Sequence, residues 1–321
     1  MYIYFRKVYK VQNILFSMAK RKLVKQGAAT LMVSLPAKWI QKHQLNKGSQ
    51  VDIVEKGESL KISTQSIHEK KQANINITNL TESSIRTLIT NAYRIGYDKV
   101  IITYKRREAL KIIHDVVKTR LLGFEIIKCD KTTCLVENIT EPSGDHFDNI
   151  FSKVWLNIHD LFDIAQNMLE GKKAEDFEEI EAKIQQFDNF CLRVKSKKDL
   201  EKKHMFHWSF HQQVIHAQRE LYLMLKYVSK NKIKPDQTTI KLLLECKKVF
   251  TTLHEAYEKR DLALLEKVHE LDKEVVYKHG YSALKKPGDN ITRMHIISAA
   301  RTFYLASSPR IGVMLAKQLQ D

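Results

Sequence analysis

The sequence predicts a multidomain, mainly α protein: a small β unit first, a small α/β sandwich next, and a C-terminal bundle of six helices. Three observations predict it. The 321 residues leave room for two or three domains at roughly 100–200 residues each. Positive charge is crowded into the first fifth of the chain. From residue 146 onward, apolar residues recur at spacings of three and four almost without interruption. With 43% hydrophobic and 28% charged residues, and only 10 Gly and 5 Pro, the composition is globular and excludes a low-complexity chain. No apolar run reaches about 18 residues, so no membrane insertion is expected. Cys129, Cys134, Cys191 and Cys246 lack the two-residue spacing of a zinc or redox motif and are too few for a disulfide framework, which points to a reducing, cytoplasmic setting.

Residues 1–17 mix Arg6, Lys7 and Lys10 with a short apolar patch but have no apolar core followed by a cleavage site. They read as an N-terminal extension, with Met18 an alternative start. In the next segment, 18–66, Leu31, Val33 and Leu35 alternate as in a strand, and Pro36 suits the first turn of a short helix running to Lys42. Leu45 to Gly48 end that helix. Val51 and Ile53, a turn at Lys56-Gly57-Glu58-Ser59, then Leu60 and Ile62 make a hairpin. Residues 1–65 carry twelve Lys or Arg against three Asp or Glu, more than half of the chain's net +17. Such asymmetry is the footprint of a polyanion-binding segment on a more balanced body. A unit this small buries little apolar surface alone, so it should pair with a second copy as a homodimer.

The run Arg21-Lys22-Leu23-Val24-Lys25-Gln26-Gly27, then Thr30 to Trp39, then Leu45-Asn46-Lys47-Gly48-Ser49-Gln50-Val51-Asp52-Ile53, resembles the AbrB/SpoVT family of DNA-binding domains. The resemblance implies a swapped-hairpin dimer that presents basic residues to DNA. It places Lys20, Arg21, Lys22 and Lys25 on and after the first strand, and Lys38 and Lys42 on the short helix. The last two, four residues apart, share a helix face in any case. Side chains of this kind mostly hold phosphates, which makes binding salt-dependent.

The middle segment, 73–141, alternates strand and helix in the order βαβαββ. Its strands are expected at 73–77, 99–104, 124–128 and 134–139, its helices at 83–95 and 108–121. No glycine-rich turn follows a strand; Gly96 and Gly123 read as helix C-caps, and Cys129 and Cys134 as ordinary strand cysteines. The segment is a spacer or a small-ligand module.

The third segment, 146–321, follows a boundary at Glu141-Pro142-Ser143-Gly144. Its apolar stripes run through 155–169, 175–195, 204–230, 237–258, 261–280 and 290–320. Pro235 and Pro287-Gly288 mark turns, and Pro309-Arg310-Ile311-Gly312 an interruption. A shift of 84 places Ile184 on Val268, Phe187 on Leu271, Asp188 on Asp272 and His211 on His295, which reads as two three-helix repeats of equal helix length. A duplicated three-helix unit behind an AbrB-like domain resembles archaeal PhoU-like phosphate uptake regulators. The PhoU pattern pairs a carboxylate four residues before an Asp with a Glu-Arg-x-x-Asp on the next helix, together binding metal clusters. Asp188 and Asp272 match the later Asp, but Ile184 and Val268 stand four earlier. His216 and Glu220 keep an ionisable pair on the third helix, and its counterpart, Ala300 to Tyr304, has neither.

His204, His207 and His211 share one helical stripe, with His216 off it. Facing Asp188, such imidazoles could ligate a divalent metal, iron or zinc, and the metal set is then Asp188, His207, His211, His216, Glu220 and Asp272. The same stripe also suits histidines beside Phe206, Trp208 and Phe210 in a helix interface. Asp145-His146 and Asp148 have no nucleophile near them, and Glu178, Glu179 and Glu181 read as a solvated helix face, so no enzyme is expected. The Lys-rich stretches 195–198 and 202–203 read as a solvated loop or as a site for an acidic partner. The function expected is a DNA-binding transcriptional regulator linked to phosphate homeostasis, the bundle sensing through a ligand or partner. The alternative is an adaptor that regulates a phosphate transporter or signalling kinase without specific DNA binding.

Overall fold

The computed structural model describes residues 20–27, 30–56, 59–64, 70–140, 147–172, 176–197, 202–234 and 236–318. The expectations for 1–17, Met18, the 141–146 boundary, Gly57-Glu58 and Pro235 lie outside them. The chain divides into two compact units, one up to residue 69 and the other from residue 70.

The first unit contains β1 (Val24–Gln26), β2 (Thr30–Met32), α1 (Ala37–Lys42), β3 (Val51–Lys56) and β4 (Ser59–Thr64). β1 and β2 pair antiparallel, as do β3 and β4, in two separate two-stranded sheets.

The second unit opens with β5 (Gln72–Asn76), α2 (Glu82–Ile95), β6 (Lys99–Thr103), α3 (Glu108–Arg120), β7 (Phe124–Cys129) and β8 (Thr133–Asn138). The expected βαβαββ order holds. The sheet runs β5-β6-β8-β7, with β5 parallel to β6 and the other neighbours antiparallel. Val100 and Ile102 of β6 and Cys134 and Val136 of β8 alternate inward onto Ile85, Ile89, Ile113 and Val116 of the two helices. Thr81 caps α2 by accepting from Ser84 N, and Gly96 ends it in the left-handed region. Gly123 is not a C-cap: α3 ends at Arg120 with Leu121 as its cap, and Gly123 sits two residues beyond that cap, at φ +81°. Cys129 and Cys134, directly opposite in the β7–β8 ladder, form a disulfide. This corrects the expectation of four unbridged cysteines: antiparallel pairing brings together two strand positions whose sequence spacing forms no motif.

The helical part has α4 (Phe147–Leu169), α5 (Phe177–Lys197), α6 (Lys202–Asn231) and α7 (Gln237–Lys259). Next α8 (Leu262–Asp272) runs into a π-helical stretch, Lys273–Gly280, and a last turn, α9 (Tyr281–Leu284). α10 (Asn290–Leu305) and α11 (Ser307–Gln318) follow. One apolar core, from Phe151 and Trp155 through Phe162, Phe210 and Phe250 to Phe303, joins them. The expectation of equal helix lengths in two repeats fails. α5 and α6 are continuous, whereas their proposed counterparts are interrupted, the first by the π stretch and the second at Ala306. Pro309 does not break the chain; it lies in the first turn of α11, where its missing N–H costs nothing.

The sequence predicts separate α/β and helical domains, yet the two form one unit. The reason is α5, which packs on both α2 and α3. Arg193, 1% exposed, donates to Tyr93 O at 3.0 Å and Tyr97 O at 2.7 Å, the carbonyls at the end of α2, and pairs with Asp98 at 2.5 Å. Its guanidinium stacks over the rings of Tyr93 and Phe124. Lys197 reaches the same Asp98 carboxylate at 2.6 Å, and Ser196 donates to Arg94 O. Burial acts to raise the Asp98 carboxyl, but the hydrogen bond and charge of Lys197 and the charge of Arg193 hold it below the usual carboxylate range. The lysine-rich stretch at 195–197 is therefore the last turn of a helix engaged with its neighbours: Lys195 also donates to His207 O and lies over Phe147.

Candidate nucleic-acid interface

Residues 20–64 have the wrong balance for an isolated fold. Leu23, Leu31, Ile53 and Leu60 are 60–66% exposed, Val24, Val33 and Val54 are exposed as well, and α1 buries no residue. Each would contribute about 1.5–3 kcal/mol if covered.

The basic residues sit on this scaffold as follows. Lys20, Arg21 and Lys22 precede β1 instead of lying on it, and Lys25 is its middle residue, opposite Leu31. A tight turn at Gly27, φ +73°, begins the return toward β2. Pro36 is extended, and its carbonyl accepts from Trp39 and Ile40 N, so it caps α1 instead of opening it. Lys38 and Lys42 both lie on α1, one turn apart. Asn46 N donates to Ser49 Oγ at 2.9 Å and Gly48 takes φ +91°, which turns the chain into β3. All six expected DNA-binding side chains are exposed. None makes an ion pair or side-chain hydrogen bond with a described residue. Lys47, in the turn after α1, is equally exposed and has no partner among the described residues; the basic excess that singles out the others includes it, and only its position between elements hides it.

The expected metal set is not gathered. Among the described residues no three His, Cys, Asp or Glu side chains are grouped to hold a metal ion. Asp188 and His211 do meet, Oδ1 to Nε2 at 2.7 Å. Asp188 also accepts from Arg94 at 3.2 Å, and the His211 ring stacks on Phe151. Burial drives the His211 imidazole below its ordinary value, against the hydrogen bond that Asp188 accepts from it. Glu220 pairs with His295 at 2.7 Å, Asp272 with Arg301 at 2.6 Å, and His216 is exposed. The His207 carbonyl is held by Lys195, and the His204 side chain lies outside the described residues. Glu181, expected on a solvated face, is buried against α6, where Gln218 and Arg219 donate to it; burial pushes its carboxyl up. Among the described residues no helix is long and apolar enough to cross a membrane.

A family model described as antidote-toxin recognition MazE, bacterial antitoxin, matches residues 24–73. None of the curated proteins and none of the solved structures compared with the chain matches it. The family match supports an AbrB-like DNA-binding unit at the N-terminus, on the same stretch that carries the exposed basic side chains.

Proposed function

We propose that the protein is a DNA-binding transcriptional regulator linked to phosphate uptake or homeostasis, and not an enzyme. Its N-terminal unit pairs with a second copy to hold DNA, and its helical part acts as the sensing and interaction module. The observation that carries the DNA reading is the coincidence of two features in residues 20–64. Six basic side chains have no partner among the described residues, and apolar strands are left uncovered as a dimer would require. The phosphate link rests on the PhoU resemblance of the helical part alone.

The test is promoter binding by the full chain across a salt series, with scrambled DNA as competitor. Arg21→Ala with Lys25→Ala should weaken binding and flatten the slope of log affinity against log salt by about 0.9 for each phosphate no longer neutralised. A second reading, an adaptor docking on a transporter or kinase, is favoured by large apolar side chains exposed on the helical part, among them Met205, Trp208, Ile291 and Met294. An adaptor keeps its partner when Arg21 and Lys25 are replaced, and its weak DNA binding ignores sequence.

A further inference from the structure

A small cavity of about 110 Å³ lies where the first turns of α7 face the end of the π stretch and α9. Thr238 and Lys241 line it from one side, Ser282 and Lys286 from the other, and Glu245 and His279 are also in its wall. The two ammonium groups and the two hydroxyls make no ion pair or side-chain hydrogen bond with any described residue. Four side chains with unengaged donors thus line a space of a few atoms' volume, together with Leu242 and Ala283.

The walls are fixed from behind. Arg293, fully buried, donates to Ala283 O at 2.7 Å, Lys286 O at 2.8 Å and Pro287 O at 2.8 Å. The same guanidinium pairs with Asp236 at 2.6 Å and donates to Thr239 Oγ1 at 3.2 Å, at the start of α7. One side chain therefore ties the backbone beside Lys286 to the turn that carries Thr238. Walls whose backbone is already fixed suit a compact anion, because less ordering is left for binding to supply. The π stretch contributes as well. It places Nδ1 of His279 2.9 Å from Glu245 Oε2, so one carboxylate oxygen is engaged and Oε1 has no partner among the described residues.

We infer that this cavity binds inorganic phosphate. Lys241 and Lys286 supply the charge, Thr238 and Ser282 donate hydrogen bonds, and Glu245 accepts the proton that phosphate still carries at neutral pH. Sulfate has the same shape and size but no proton to donate, so it would set an oxygen lone pair against the carboxylate. A site with an acceptor of this kind rejects the analogue that cannot fill it. The inference deepens the phosphate-linked reading above and rests on it only for its regulatory meaning, since the binding itself is read from the cavity.

Calorimetric titration of the full chain with inorganic phosphate, and separately with sulfate, tests it. One phosphate per chain is expected, with sulfate at least about tenfold weaker, the worth of one charge-assisted hydrogen bond. Lys241→Gln with Lys286→Gln, both exposed positions, should abolish phosphate binding without lowering the unfolding temperature. Glu245→Gln should bring sulfate level with phosphate, and Ser282→Ala should weaken both anions. No phosphate binding, or binding that survives the double lysine substitution, overturns the site. Sulfate equal to phosphate in the unsubstituted chain overturns the role of Glu245. DNA affinity is measured separately, so the regulator can fail while the anion site stands, and the reverse.

Discussion

Arg193 shows how much one side chain can hold. It neutralises Asp98, satisfies two carbonyls at the end of α2 and fills the gap between Tyr93 and Phe124, all from α5. Arg193→Ala leaves Asp98 with Lys197 as its remaining cation and Tyr97 O short of its donor, and should cost about 1–3 kcal/mol. Arg193→Lys keeps the charge but not the planar fork, and should recover only part of that stability. Urea unfolding of both variants checks this. His211 gives a pH prediction. Burial keeps its folded pKa below the unfolded value of about 6.5. Its contribution is complete above that value and is lost as pH falls, because the unfolded chain takes up a proton that the native site refuses. Glu181 and Asp272, both pushed up by burial, work in the opposite sense. The decisive quantity is therefore a difference: stability between about pH 7.5 and 5.5 should fall less in His211→Gln than in the unsubstituted chain. The sequence singles out Asp188 and His211 as facing metal ligands, whereas the structure joins them by a direct hydrogen bond. Helix spacing says which residues share a face of one helix but not which face meets which neighbour. The sequence therefore places Glu181 in solvent and gives no sign of the partners of Arg193.

At the scale of elements, legibility follows the length of the pattern. The long amphipathic helices and the β3–β4 hairpin stand where apolar spacing puts them, and the βαβαββ order is the expected one. The short elements shift: β2 ends at Met32 although alternation continues to Leu35, because Ser34 to Pro36 lead into α1 instead of pairing. The π stretch has no sequence signature at the level of periodicity, since one extra residue per turn moves the stripe without erasing it. Gly123 illustrates an element boundary set by close approach. A Cβ there would lie 1.9 Å from Thr140 O, at a φ of +81° that side chains avoid, while Ile139 N donates to Gly123 O at 2.9 Å. Gly123→Ala should therefore destabilise the second unit by more than about 1 kcal/mol, seen as a lower thermal midpoint, whereas Gly171→Ala, with open space at its Cβ, should cost less.

For the whole molecule, the charge asymmetry is legible and the number of bodies is not. Composition separates a basic first fifth from the rest, and the chain divides there. The boundary expected at 141–144 does not separate units, because the last turns of α5 are joined to α2 by Arg193 and Ser196, and to Asp98 just beyond it by Lys197. The two units should then respond differently to dilution. Residues 70–318 have apolar cores of their own, and their unfolding midpoint should not depend on protein concentration. Residues 20–64 leave Leu23, Leu31, Ile53 and Leu60 mostly exposed in one copy, so their folded form should draw its stability from association. A spectroscopic probe of Trp39, which packs against His43 at the end of α1, should report a transition that moves to higher temperature as the chain is concentrated. The buried Trp155 should report a second transition that stays in place. A Trp39 transition unmoved over a hundredfold range of concentration, about 2.7 kcal/mol of mass action, would remove the dimer, and with it the two-fold surface on which the proposed DNA binding depends.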